Sequence, residues 1–177
     1  MRHVRVLPWD EKYQVLFGEE AMNLKEIFGE DAVGIFHIGS TSVPGLKSKP
    51  IIDILLVVSN IEKVDEYTDE MEKIGYLYLG ENGIPGRRYF QKGGEDHSHH
   101  VHVFEAQNPE IERHIAFRDY LRSHPQAAKE YGNLKTSLAE QYPEDIEAYQ
   151  AGKNDLILAI QTEAIRWYRE YSRTTAN

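Results

Sequence analysis

The chain has 177 residues, carries 29 Asp and Glu against 20 Lys and Arg for a formal net charge of −9, and contains no cysteine. Its length suits one domain that buries a core without staples, and the missing cysteine removes disulfides, thiolate zinc sites and thiol nucleophiles. The acidic balance disfavours a broad DNA or RNA backbone footprint, no segment nears the ~18 apolar residues that cross a bilayer, and Met1–Asp10 has two arginines but no apolar run of an export signal.

From the N-terminus, Tyr13 to Phe28 sets Val15, Leu16, Met22, Leu24, Ile27 and Phe28 among polar residues, which predicts an amphipathic helix closed by Gly29. Ala32 to Ile38 and Ile51 to Val58 are apolar and β-branched enough for strands, the second more clearly. Ile61 to Ile74 reads as a helix stopped by Gly75, and Tyr76 to Leu79 as a short strand before the turn-rich Gly80–Gly86. Arg87 to Lys92 and His99 to Glu105 alternate as two further strands, with Lys92-Gly-Gly-Glu-Asp96 as their hairpin loop. Past Glu105 the character changes. Asn108-Pro-Glu opens a helix with proline in its first turn, and most of the chain to Tyr171 is helical, with Ile157, Ile160, Ala164, Trp167 and Tyr171 on one face. The expected architecture is α+β in one domain: a mixed sheet with helices over residues 1–107, then a helical segment over 108–177.

One stretch stands out. "FHIGSTSVPGLKSKPIIDILLVV", Phe36 to Val58, leads from a strand through a hydroxyl-rich loop into an apolar strand interrupted by a single acid, Asp53. Residues two apart share a strand face, so Asp53 points the way of Ile51, Leu55 and Val57, and an acid on such a face needs hydrogen bonds, a cation or a metal. It either caps a loop or pairs with Lys49 or an arginine, or it serves a site. The loop Gly39-Ser40-Thr41-Ser42 offers clustered amides and three hydroxyls able to cradle phosphate oxygens, and it also fits an ordinary Ser/Thr turn. In Asp96-His-Ser-His-His-Val-His-Val-Phe-Glu105, His100 and His102 share a face opposite Val101 and Val103. Should this strand neighbour that of Asp53, the three side chains, with His37 as a further candidate, form a donor set suited to Zn²⁺, Mn²⁺ or Fe²⁺ better than Mg²⁺. Histidines hydrogen-bonded to carboxylates are the plainer alternative, with His97 and His99 as loop residues. Arg87, Arg88 and Lys92, with Lys47 and Lys49, add cations for a phosphate or carboxylate, or form surface salt bridges. Alternation turns only one of the two arginines inward, and Arg88 is the expectation.

Gly-Ser followed, after residues 41–52, by an acid in an apolar strand resembles the signature of the DNA polymerase β-like nucleotidyltransferases. More closely, "HIGSTSVPGLKSKPIIDILLVV", "GRRYF", "HHVHVFE" and "IERHIAFRDYLRSHPQAAKEYGNLKTSLAEQYPEDIEAYQAGK" are similar to the GrpB family over nearly the whole chain. That resemblance implies a nucleotidyltransferase-like fold, cytoplasmic residence and, through relatives fused to dephospho-CoA kinase, a protein partner in the CoA pathway. Active nucleotidyltransferases carry acid–apolar–acid on this strand to hold two divalent cations, whereas here the second position is Leu55, which cannot ligate Mg²⁺. Three functions follow as expectations. The first is nucleotidyl or phosphoryl transfer, with Gly39, Ser40, Thr41, Ser42, Lys49, Arg88 and Lys92 on phosphates and Asp53 on Mg²⁺, Mn²⁺ or Zn²⁺. The second is a non-catalytic module that binds a nucleotide or phosphorylated metabolite or assists a CoA-pathway kinase. The third is a metallohydrolase using Asp53, His100 and His102.

Overall fold

The computed structural model describes residues 3–175, so Met1 and Arg2 of the N-terminal stretch read for export lie outside it. The chain forms two compact units that interleave in sequence: a sheet unit of Glu11–Ile38 and Ile51–Ile111, and a helical unit of the N-terminal segment to Asp10, Gly39–Pro50 and the chain from Glu112 onward.

In the sheet unit, α1 (Lys12–Phe28) leads into β1 (Ala32–Ile38), followed by β2 (Ile52–Val58), α2 (Thr68–Lys73), β3 (Tyr76–Tyr78), β4 (Arg88–Lys92) and β5 (His99–Glu105). The strands form one sheet in the order β1-β2-β5-β4-β3. Only β2 and β5 run parallel; the other pairs are antiparallel. The continuous apolar run of β2 puts it inside the sheet, with Ile54, Leu55, Leu56 and Val58 fully buried. The expected helix over 61–74 is two pieces, a 3-10 stretch at Glu62–Tyr67 and then α2, with Val64 and Met71 turned into the core.

Helix α1 forms where the sequence places it, but on a different face. Tyr13, Glu20, Leu24 and Phe28 are buried, while Val15, Leu16 and Met22 are exposed. A buried glutamate displaces the apolar stripe because it has partners on the sheet. Glu20 accepts hydrogen bonds from the Tyr76 hydroxyl at 2.7 Å and the Lys92 ammonium at 3.0 Å. Burial raises its pKa, and these two donors more than offset that, so the carboxyl lies below its ordinary value.

In the helical unit, α3 (Pro109–Ser123, counted here from Glu112), α4 (Pro125–Gln141) and α5 (Ile146–Thr175) surround two apolar clusters. Val43 and Leu46 of the loop segment pack with Leu121, Tyr131 and Ile160 in one, and Val4, Leu138 and Tyr149 form the other. Leu7 and Ser48 exchange backbone hydrogen bonds at 2.8 and 3.0 Å, which ties the N-terminal segment to the loop segment. The expected α5 face holds at Ile160 and Ala164 and ends before Tyr171, which is 56% exposed. Among the described residues no helix is long and apolar enough to cross a membrane.

Candidate functional site

The parallel register of β2 and β5 sets Asp53 beside His100 and Leu55 beside His102, so the acid and both imidazoles share one face of the sheet. Asp53 Oδ1 lies 3.3 Å from His100 Nδ1 and 3.3 Å from His102 Nε2. The alternation behind this is complete, since Val101 and Val103 on the other face are fully buried. Tyr89, opposite His102 on β4, brings its ring centroid within 5.6 Å of His100 and 5.3 Å of His102.

The arginine that joins this face is Arg87 and not Arg88. Arg88 opposes Val103, shares the other face, and ends in an ion pair with Asp65 at 3.0 Å. Arg87 is 6% exposed, lies over the Tyr89 ring, and reaches His102 Nδ1 at 3.3 Å from Nη1. Its other nitrogens donate to the carbonyls of Glu81 and Asn82 at 3.1 and 2.7 Å. Lys92 likewise lies away from Asp53, on Glu20. His37 is opposite Ile54 in the β1–β2 pair, hence on the other face, where its ring stacks on Phe17 at 4.9 Å. It stands outside the donor set. His97, expected as a bystander in the loop, contacts His100 Nε2 at 2.8 Å through its Nδ1.

Charge follows from this geometry. Burial pushes the Asp53 carboxyl upward, but hydrogen bonds and charge from His100 and His102 win and hold it far below the usual carboxylate range. Burial lowers the His102 imidazole, and Arg87 and His100 lower it further against the pull of Asp53, so its neutral form dominates near neutral pH. A guanidinium only donates hydrogen bonds, so His102 Nδ1 accepts from Arg87 and its single proton sits on Nε2, facing Asp53.

Asp53, His100 and His102 each offer a donor atom, all within 4.8 Å of one another. Two magnesium ions do not fit here: two of the donors are imidazole nitrogens, and Leu55 supplies no second carboxylate. The donor types suit one borderline cation such as Zn²⁺. Ligating histidines donate their other N–H to an acceptor, and at His102 that place is held by Arg87, so a cation on Nε2 requires Arg87 to let go.

The Gly39–Ser42 loop belongs to the helical unit. Gly39 has φ 71°, a value that disfavours any side chain, and Ser40–Ser42 form one 3-10 turn. Ser42 returns both its amide and its hydroxyl to the Gly39 carbonyl, which removes them from ligand duty. The turn is held from outside by Trp9, which donates to the Thr41 carbonyl at 2.9 Å, and by Arg122, which donates to the Ser42 carbonyl at 2.8 Å. Ser40 differs: its hydroxyl accepts from the ammonium of Lys135, a lysine only 2% exposed, at 2.8 Å.

Two further lysines of this unit are held by aromatic rings. Lys49, expected from the sequence, and Lys153, which was not, lie 5.2 and 4.9 Å from the Tyr149 centroid, and Lys135 lies 4.3 Å from that of Tyr131. Burial, and then the Tyr131 charge, push the Tyr149 hydroxyl upward, which keeps it neutral beneath the two cations. Both missed lysines follow a buried tyrosine by four residues on a helix, Tyr131–Lys135 and Tyr149–Lys153. That spacing puts each pair on one helix face and was the signal available in the sequence.

The family model for GrpB protein matches residues 3–163. The UPF0157 protein YqkA of Bacillus subtilis is 49% identical over 99% of this chain, which spans 51% of that protein's length. A dephospho-CoA kinase of Mycolicibacterium paratuberculosis is 25% identical over 93% of the chain and 46% of the kinase. Among solved structures, conserved protein GrpB from Enterococcus faecalis superposes with a TM-score of 0.90 at 47% identity, covering 93% of this chain and 99% of that one. The Cid1 poly(U) polymerase bound to MgGTP superposes at 0.52 with 14% identity, over 76% of this chain and 44% of that one, a likeness of fold alone. The chain belongs to the GrpB family, and its α+β fold is nucleotidyltransferase-like.

Proposed function

We propose that the protein binds a nucleotide or another phosphorylated small molecule at the Gly39–Ser42 loop, with Ser40 and Lys135 on the phosphate and Lys49 and Lys153 adding positive potential. The observation that carries this reading is the Lys135–Ser40 contact: a buried ammonium held on a hydroxyl, beside a glycine that lets a ligand come close to the backbone. An acidic, cytoplasmic protein concentrates cations in this way where an anion is to be bound. The test is a thermal-shift panel of nucleoside triphosphates, CoA precursors and simple phosphomonoesters, with wild type, Lys135→Gln and Ser40→Ala. A ligand at a hundredfold its dissociation constant stabilises by about 2.7 kcal/mol, and both variants should reduce that shift. No stabilisation by any phosphorylated compound, or stabilisation indifferent to both variants, would overturn the reading.

A second reading is favoured by the three convergent donors of Asp53, His100 and His102: one divalent transition-metal ion is held there, and it supports phosphoryl or nucleotidyl transfer or hydrolysis. Bound, such an ion would polarise a phosphoryl oxygen or activate a water, while Asp53 and the histidines supply its ligands. Metal analysis of the purified protein, with and without added Zn²⁺ or Mn²⁺, decides it: stoichiometric metal lost on His102→Ala supports it, and none in either variant sinks it. The relatives named dephospho-CoA kinase keep an accessory role beside such a kinase as the alternative should no ligand be found.

A further inference from the structure

The helical unit holds a cavity of about 260 Å³ between the Pro44–Lys47 segment, the end of α3 and the first half of α4. It shares no residue with Gly39–Ser42, Lys135 or the Asp53 cluster. Three of its walls are cationic, Lys47, Arg122 and Lys129, with Asn133 as a neutral polar group; no acid lines it. Gly132 lines it where α4 meets the loop segment: a Cβ there would stand 3.4 Å from Leu46 Cδ1 and 3.6 Å from the Lys47 amide nitrogen.

The state of the three cations is informative. Several other cations of this acidic chain find carboxylates: Lys63 with Asp31, Lys92 with Glu20, Arg88 with Asp65, Arg118 with Asp119 and Arg169 with Glu112. Neither the Lys47 nor the Lys129 side chain has a hydrogen bond or ion pair to any described residue, and the Arg122 side chain spends only its Nε, on the Ser42 carbonyl. Burial, and then the charge of Arg118, lower the pKa of Arg122, and Asp119 opposes them without cancelling them. Three like charges around one cavity repel each other, no acid among the described residues lines it, and Asp119 offsets only part of the repulsion at Arg122. A dianion would balance them.

We propose that this cavity is a second anion site, separate from the Gly39–Ser42 loop, that takes a small phosphate group with Lys47, Arg122 and Lys129 as its counter-charges. The free terminal nitrogens of Arg122 supply the bidentate donor pair that a phosphate matches, and the two lysines supply mobile point charges. Ligand pockets of drug size begin at about 300 Å³, so the volume fits free phosphate, pyrophosphate or a phosphomonoester of a few carbons better than a whole nucleotide. Leu121, Pro125 and Ala128 give the organic part of such an ester an apolar wall. The phosphate group is the shared chemistry, and the titrants separate its sources.

The experiment is an amide NMR titration of the full chain with inorganic phosphate, pyrophosphate and glycerol phosphate, each against chloride at matched ionic strength. It is run on wild type, on the double variant Lys47→Ala/Lys129→Ala, and on Lys135→Gln. Both lysines of the double variant are exposed and lack partners, so their removal leaves the fold intact. Saturable shifts at Gly45, Lys47, Lys129, Gly132 and Asn133, weakened at least tenfold in the double variant and retained in Lys135→Gln, are expected. The absence of saturable shifts at these amides, or shifts unaffected by the double variant, overturns the proposal whatever the Ser40 loop does. A response confined to the Ser40–Ser42 amides and lost in Lys135→Gln would overturn it while sustaining the first site.

Discussion

Arg87 reaches His102 from the side a metal-binding histidine uses for its own acceptor, and its charge opposes a cation on the same ring. Replacing it with glutamine removes that charge and leaves a side-chain carbonyl able to accept from Nδ1. Arg87→Gln is therefore expected to bind Zn²⁺ or Mn²⁺ about tenfold more tightly than wild type, within the range by which outer partners of a ligand tune affinity. Competition against a chromophoric chelator measures this; equal or weaker binding would mean that Arg87 supports the cluster rather than closing it. The sequence pointed to Arg88 instead, and it missed for a definite reason. Alternation separates Arg87 from Arg88, but which of them faces Asp53 depends on the β4–β5 register, and Tyr89 opposite His102 is a fact of pairing that the hairpin loop alone does not specify. His37 failed on the same ground, since its strand pairs so that Phe36 and Ile38, and not His37, share the face of Asp53.

At the scale of elements, periodicity and the strand faces within β2 and β5 were legible, and the helix faces only in part. The strands from Ala32–Ile38 to His99–Glu105 stand close to where alternation and apolar runs put them, because a period of two survives in any sheet. The α1 face was misread because Glu20 is buried with partners from β3 and β4, distant in sequence. The same blindness hid Lys135 and Lys153, since a lysine on a helix is ordinarily solvated and only packing reveals otherwise. Glu20 also gives a pH prediction. Its folded pKa lies below its unfolded value near 4.5, so its contribution is present above that pH and is lost as pH falls through the folded pKa. Glu20→Gln should cost about 2 kcal/mol at pH 7, from weakened hydrogen bonds to Tyr76 and Lys92, and the gap to wild type in urea titrations should narrow steadily below pH 4.5. A gap unchanged down to pH 3 would show that packing, not charge, sets the cost. Strand β2 carries a sharper case. Leu55 is fully buried beside His102, and Leu55→Asp would set an unpaired second carboxylate there, at a cost of about 3 kcal/mol or more. Added Mn²⁺ should restore part of that loss, read as a metal-dependent rise in melting temperature that wild type does not show to the same degree.

At the scale of the whole molecule, the chain passes between its two units after Asp10, Ile38, Pro50 and Ile111, so each unit is assembled from separated segments. Composition changes near Glu105, where the helices begin, and a sequence divided there reads as a core followed by an appendage. The packing is different. Val43 and Leu46 come from the first half of the sequence, yet they are 1% and 2% exposed in a cluster with Leu121, Tyr131 and Ile160 of the helices, and Val4 packs with Leu138 and Tyr149. Each such apolar side chain gains about 1.5–3 kcal/mol from full burial, and a domain's net stability is only about 5–15 kcal/mol. A fragment of residues 1–107 would forfeit those contacts, lose Lys135 from Ser40 and Arg122 from the Ser42 carbonyl, and leave the Gly39–Ser42 turn without two of its outside supports. It is expected to bind a hydrophobic dye and to show no phosphate-induced stabilisation, although it keeps nearly the whole sheet unit, and mixing it with residues 108–177 should restore that stabilisation. A fragment 1–107 that phosphate still stabilises by itself would show that the loop segment holds its form, and its affinity, without the helices.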